Sequence, residues 1–208
     1  MAMIDDPRRH WQSIYQTKVP SDLSWYQPIP QQSMEFARST CLPPDSPILD
    51  VGGGTSTFVD HLLAAGFTDI TVLDLVPAAL VEAEVRLGAA ACRVHWIAED
   101  ITAWRPVRRY RLWHDRAVFH FLVDPALRAR YVDVLQAALA AHGHVVMATF
   151  GPNGPTHCSG LDVKRYSAHE LSAVLGPSFL LVRSQIVEHI TPAGRTQEFL
   201  YGWWQAQA

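Results

Sequence analysis

"SPILDVGGGTSTFVDHLLAAG", residues Ser46 to Gly66, runs a short apolar segment into three consecutive glycines and then into a stretch of alternating character. Ile48, Leu49 and Val51 read as a short buried strand, and Phe58, Val59, Leu62 and Leu63 fall at helical spacing on one face. The unit is strand, tight turn, helix. Glycines at such a turn let the chain bend sharply and let a ligand approach the backbone, with the N–H groups of a helix start nearby.

Outward from this unit the chain alternates. Strands are expected at Ile48–Val51, Ile70–Leu75, Arg93–Ala98, Arg111–Asp115 and His144–Phe150, and helices at Thr57–Ala65, Pro77–Leu87 and Pro125–Ala141. Short apolar strands alternating with helices predict an α/β fold: three layers, with a mostly parallel sheet covered on both faces. After a helix at Ala168–Leu175, the segments Phe179–Val187 and Gln197–Trp204 flank "HITPAGR" and read as an antiparallel hairpin closing one edge of the sheet. Pro43, Pro44 and Pro47 mark a boundary inside what is otherwise one domain, 1–208. It separates an N-terminal segment, 1–45, from a Rossmann-like core, 46–208. The N-terminal segment holds Trp11, Tyr15, Trp25 and Tyr26 and a helix at Gln32–Cys41, and its aromatics read as a lid.

Composition narrows the function. With 208 residues, 49% hydrophobic and 18% charged, the chain can build one full core, and a formal net charge of -3 offers no basic field for nucleic acid. Three scattered cysteines and the absence of any long apolar run point to reduced thiols, no membrane span and a cytoplasmic setting. No histidine or cysteine cluster has the spacing of a metal site, so no metal is expected.

In an open α/β sheet ligands sit beyond the carboxyl ends of the strands. Asp50 precedes the glycines, Asp74 ends the second strand in "TVLDLV", and Asp100 follows the third in "HWIAEDI". A second-strand carboxylate can accept from both hydroxyls of a ribose, and a third-strand one from an exocyclic amine. The set in register with the glycines points to an adenosyl ligand. A dinucleotide site wants G-x-G-x-x-G, and Thr57 stands in its third glycine place, which weighs against an NAD-dependent oxidoreductase. A non-catalytic protein that binds an adenosyl ligand stays open.

"LDVGGGTS" resembles the first motif of class I S-adenosylmethionine-dependent methyltransferases, D-x-G-x-G-x-G, with Asp50, Gly52 and Gly54 matching and Ser56 replacing the last glycine. "VLDL" resembles the second motif, and "AEDI" the third. The resemblance implies a seven-stranded sheet with the antiparallel C-terminal hairpin, S-adenosylmethionine as cofactor and S-adenosylhomocysteine as product. It makes Asp74 with Leu75 the ribose end of the site and Asp100 with Ile101 the adenine end. "HWQSIYQ" and "SWYQ" resemble an N-terminal feature of small methyltransferases that include protein-lysine enzymes, which implies that Trp11, Tyr15 and Trp25 cover the methionine end. "LWHDRAVFHFL" is similar to the W-D-R segment of thiopurine- and tellurite-type methyltransferases, and departs from the pattern of the lysine enzymes. The implied acceptor is a small molecule, with a protein lysine as the alternative.

A methyl sulfonium is already activated, so the protein's main task would be alignment, and a base is needed only for a protonated nucleophile. Asp115 is the candidate to hold the cofactor's amino group or the substrate, and His120 the candidate base or orienting group. Arg116 beside them, together with His157, Arg165 and Tyr166 of the loop "GPNGPTHCSGLDVKRY", form the expected substrate wall.

Overall fold

A computed structural model describes residues 6–207. The elements are α1 (Pro7–Thr17), α2 (Gln31–Ser39), β1 (Ile48–Val51), α3 (Phe58–Ala64), β2 (Ile70–Asp74), α4 (Pro77–Leu87), β3 (Val94–Ala98), β4 (Tyr110–Arg116), α5 (Pro125–Ala138), β5 (Leu139–Phe150), β6 (His157–Cys158), β7 (Leu161–Asp162), α6 (Ala168–Leu175), β8 (Phe179–Ile190) and β9 (Thr196–Ala206). Seven strands form one sheet in the order β3-β2-β1-β4-β5-β9-β8, and β6 and β7 pair as a separate small hairpin.

The first five strands of that sheet are parallel, and β9 runs antiparallel to both β5 and β8. Apolar side chains on its two faces build two cores. One gathers Trp113, Tyr131, Met147, Tyr166 and Trp204; the other gathers Phe36, Phe58, Leu62, Val146 and Tyr201. β1 and β2 are buried along their whole length, as strands covered on both faces must be. The expected fold class therefore holds, including the hairpin at the edge.

Three local features differ from the expectation. Residues Pro7–Thr17 form a helix, begun by Asp6, whose side chain accepts from the Arg8 and Arg9 N–H groups with Pro7 in the first turn. Its apolar residues Trp11, Ile14 and Tyr15 do fall at helical spacing on one face, but none of its residues is fully buried, and the sequence reading gives the aromatics as a lid without a helix. At the other end of the core, α5 stops at Ala138 and β5 starts at once with Leu139, so the helix does not continue to Ala141 as the sequence pattern predicts. The pairing of β4 with β5 is irregular between Tyr110 and Leu112, and the extra residues are accommodated by His142 at φ 57° and by Gly143, where a Cβ would lie 2.8 Å from Ala140 O. The third difference is the β6–β7 hairpin inside the loop that follows β5.

Candidate functional site

The turn after β1 is tight because each glycine is closely packed. Gly52 sits at φ +66°, and a Cβ there would lie 2.0 Å from Val118 Cγ2; one on Gly53 would meet Asp50 Oδ2 at 2.6 Å. Gly54, at φ +40°, is buried between two polar groups: a Cβ there would lie 2.8 Å from both Asp74 Oδ2 and Tyr15 Oη. Two of the three glycines thus serve the packing of the turn itself, and Gly54 keeps the space between Asp74 and the α1 roof clear.

Beyond this turn opens a cleft of about 310 Å³ at the carboxyl ends of the parallel strands. It brings together Trp11, Tyr15, Trp25, Gly52, Asp74, Leu75, Asp100, Ile101 and Arg116 from the expected residues. By strand order one side, at and after β2 and β3, carries Asp74, Glu99, Asp100 and Thr102, and the other, after β4 and β5, carries apolar Ala117, Phe121, Leu122, Leu127 and Leu161 beside Arg116. Trp11 packs edge-on against Trp25 at 5.8 Å and Phe121 at 4.8 Å, which places α1 over the opening.

Asp74 is 6% exposed and receives the Val76 N–H at 2.8 Å on Oδ1. Burial, reinforced by the neighbouring Asp50 charge, raises its pKa to about 7 against the opposing pull of backbone N–H groups. Asp100 is exposed and holds the start of the next turn, its Oδ1 accepting from both the N–H and the hydroxyl of Thr102 at 2.8 Å. Tyr15 has its phenol held in the neutral form by burial and by the Asp74 charge.

The residues expected to do chemistry at the fourth strand do not line this cleft. Asp115 is fully enclosed and accepts from the Val118 and Phe119 N–H groups and from the Tyr131 hydroxyl at 2.5 Å. It braces the turn after β4 against α5. Burial raises its pKa to about 6 in spite of those donors. His120 is equally enclosed, and its Nδ1 accepts the Phe150 N–H at 3.2 Å. That bond uses the ring's one lone pair, which puts the proton on Nε2, and burial lowers its pKa to about 3. A neutral imidazole with its lone pair occupied is not a base for a substrate in the cleft. The turn that follows β4 explains both placements: in "HDRAVFHF" it directs Asp115, Phe119 and His120 into the interior, and gives the cleft Arg116, Ala117, Val118 and Phe121.

The expected substrate wall is corrected in the same way. His157 is exposed and paired with Asp162 at 2.8 Å across the β6–β7 hairpin, Arg165 reaches Gly154 O at 3.3 Å, and Tyr166 is buried against Phe119. From that loop it is Cys158 and Leu161 that reach the cleft. Phe121 and Leu122 carried no sequence signal distinct from core residues, and Cys158 lies in the quoted loop without a role of its own. Asp50 lines a separate recess of about 30 Å³ with Ser33 and His114, one wall of which is shared with Gly52 and Arg116. Among the described residues, no cluster of three or more histidine, cysteine or acidic side chains could hold a metal ion, and no helix is long and apolar enough to cross a membrane.

Residues 48–143 match the family model described as a methyltransferase domain. A malonyl-[acyl-carrier protein] O-methyltransferase of Ilyobacter polytropus is 30% identical over 105 residues, which cover 50% of this chain and 38% of that protein. The chain thus spans well under half the length of this relative. The N-methyltransferase NodS of Bradyrhizobium japonicum, solved with S-adenosylhomocysteine, superposes with a TM-score of 0.72 over 96% of this chain and 99% of that one, at 18% identity. The Burkholderia thailandensis 1,6-didemethyltoxoflavin-N1-methyltransferase, solved with 1,6-didemethyltoxoflavin and S-adenosylhomocysteine, gives a TM-score of 0.70 at 18% identity, over 97% of this chain and 84% of that one. Residues 48–143 are thus a methyltransferase domain, and the seven-stranded topology with its reversed last strand is the fold of the class I S-adenosylmethionine-dependent methyltransferases.

Proposed function

We propose that this protein transfers the methyl group of S-adenosylmethionine to a small-molecule nucleophile. The observation that carries the reading is the two-ended cleft: acids and the glycine turn at one end, and an apolar chamber at the other, under a roof of Trp11 and Trp25. The fit to the cofactor rests on Gly54, where any side chain would fill the gap between Asp74 and Tyr15. Asp74 would receive the ribose hydroxyls, Asp100 and Ile101 would border the adenine, and Gly52, Trp11, Tyr15 and Trp25 would enclose the methionine end. When bound, the cofactor supplies a methyl already activated on a sulfonium; its transfer forms a bond to the acceptor and leaves the electron pair on sulfur.

The chain's own contribution is alignment and exclusion of water. No imidazole lines the cleft among the described residues, so the acceptor would arrive with an available lone pair or release its proton to solvent. A small acceptor is supported by the neighbour solved with 1,6-didemethyltoxoflavin. The comparisons favour neither the lysine nor the nicotinamide reading.

Calorimetry should show binding of S-adenosylhomocysteine and far weaker binding of NAD, and methyl-labelled cofactor incubated with a cell lysate should deliver label to small metabolites. Tighter binding of NAD would sink the assignment. Label found only in protein would move the acceptor to a side chain.

A further inference from the structure

Arg116 ends β4 at the border between the apolar chamber and the small recess. Its guanidinium is locked in place: Nε donates to the Tyr201 hydroxyl at 2.9 Å, Nη1 donates to Trp25 O at 2.7 Å, and Cζ lies 4.9 Å from the centre of the Phe199 ring. Both hydrogen-bond partners are neutral. Nη2 is buried and has no partner, and among the described residues no carboxylate pairs with this side chain. Its uncompensated charge is felt by its neighbours, adding to the burial that lowers the pKa of His120 and His189.

A desolvated guanidinium with a free N–H is costly unless an anion completes it, and its rigid fork is suited to a carboxylate. The two fixed bonds on Nε and Nη1 remove the freedom to swing out to solvent, so Nη2 is held ready. Arg116 borders the same cleft as Ala117, Phe121, Leu122, Leu127 and Leu161, all of them apolar. The acids that suit the adenosyl part lie at the opposite end of the cleft, with Asp74 and Asp100.

We propose that Arg116 selects an acceptor with an apolar body and a carboxylate or similar oxyanion, the anionic group docking on Nη2 while the body fills the chamber. This rests on the methyltransferase reading above and names its substrate class. The same chemistry is present in the carboxylate of the cofactor's methionine end, and the test separates the two sources.

The full chain saturated with S-adenosylhomocysteine is titrated calorimetrically with benzoate and with octanoate, each against its neutral amide. The acids should bind at least about tenfold tighter than the amides, the factor expected for one charge-assisted hydrogen bond. Arg116→Gln should erase the preference and Arg116→Lys should keep part of it, each read at saturating S-adenosylhomocysteine. No preference in the wild-type chain, which needs no variant to read, overturns the proposal. It is also overturned if Arg116→Gln weakens S-adenosylhomocysteine about tenfold but leaves its decarboxylated analogue unaffected, for then the anion is the cofactor's own. A wild-type chain that does not bind S-adenosylhomocysteine at all overturns the methyltransferase reading, and this inference with it.

Discussion

Asp50 and His114 face each other in register on the adjacent parallel strands β1 and β4, and His114 Nδ1 donates to Asp50 Oδ1 at 2.7 Å. Both side chains are 3% exposed, and His114 Nε2 stands 2.9 Å from Ser33 Oγ on α2. The ring of Phe58, the first residue of α3, covers the imidazole with centroids 4.0 Å apart. The first acid of the glycine motif therefore acts on the protein's interior, tying α2, β1 and β4 together beneath the turn. With Gly53 pressed against Asp50 Oδ2, that tie also fixes where the glycine turn can lie.

Removing one partner of such a pair leaves the other stranded. His114→Leu should cost about 3–5 kcal/mol in urea denaturation, the typical cost of an uncompensated buried charge. Adding Asp50→Asn to that variant should recover part of the loss, because the stranded group is then neutral. A double variant no more stable than His114→Leu alone would show that the imidazole contributes through packing on Phe58 and not through the carboxylate.

The raised pKa of Asp74 sets the sign of its pH dependence. Its folded pKa of about 7 exceeds that of an unfolded aspartate, so the fold binds the proton more tightly than the unfolded chain does. This contribution favours the fold below the unfolded pKa and is lost as pH rises toward 7. Asp74→Asn should accordingly raise stability at about pH 8 by about 2–4 kcal/mol and have little effect at about pH 4, as read by chemical denaturation at the two pH values. S-adenosylhomocysteine affinity should move oppositely: it should rise in the wild type from about pH 6 to about pH 8 as the carboxylate forms, and in Asp74→Asn be weaker and flat with pH. Normal affinity in the variant would remove Asp74 from the ribose end.

What the sequence made legible follows from backbone periodicity. The β1–turn–α3 unit, the order of strands and helices and the reversed final strand all write themselves in apolar spacing and in glycine and proline positions. The place of Asp74 and Asp100 at the cleft was legible too, because a strand end is a fixed place in this fold. Asp115 and His120 were not, since which way a side chain points after β4 depends on the short turn at Val118–Phe121, where strand alternation stops. Helix α1 was legible in principle, since Trp11, Ile14 and Tyr15 fall at helical spacing, but its apolar face is short and mixed with charged and polar residues, and its aromatics read only as a lid.

The enclosure of Asp115 can be tested against a role in the site. The Tyr131 hydroxyl donates to Asp115 and also accepts from Trp113 Nε1 at 2.9 Å, so Tyr131→Phe leaves two buried polar groups each short of a partner. A loss of about 1–3 kcal/mol for each group left unsatisfied is expected on thermal or urea unfolding. S-adenosylhomocysteine affinity should stay near that of the wild type, because neither side chain borders the cleft. A well-folded Tyr131→Phe with affinity reduced tenfold would return Asp115 to the cofactor.

Gly54 separates steric from electrostatic contributions. Gly54→Ala places a methyl group 2.8 Å from both Asp74 Oδ2 and Tyr15 Oη, at a φ of +40° that alanine tolerates poorly. Cofactor affinity should fall by more than an order of magnitude, with a smaller loss of stability because the atoms that the methyl would meet belong to Asp74 and Tyr15, side chains that border the cleft. If stability falls as far as affinity, Gly54 is required by the turn and says nothing about a ligand.

The roof over the cleft is thinly anchored. Helix α1 buries none of its residues fully and meets the body through Trp11 against Trp25 and Phe121, and through Tyr15 near Asp74 and Gly54. Segments with few buried apolar contacts open at low free-energy cost, and those that close over a ligand gain contacts when it is bound. Hydrogen exchange across residues His10 to Gln27 should slow markedly on adding S-adenosylhomocysteine, and the emission of Trp11 and Trp25 should shift in the same titration. Trp11→Ala should weaken that protection without unfolding the sheet, since Trp11 lies outside both cores. Exchange that is slow and unchanged by ligand would mean that α1 is a fixed cap, and the cleft would then have to fill and empty from the side of the β6–β7 hairpin, past Cys158 and Leu161.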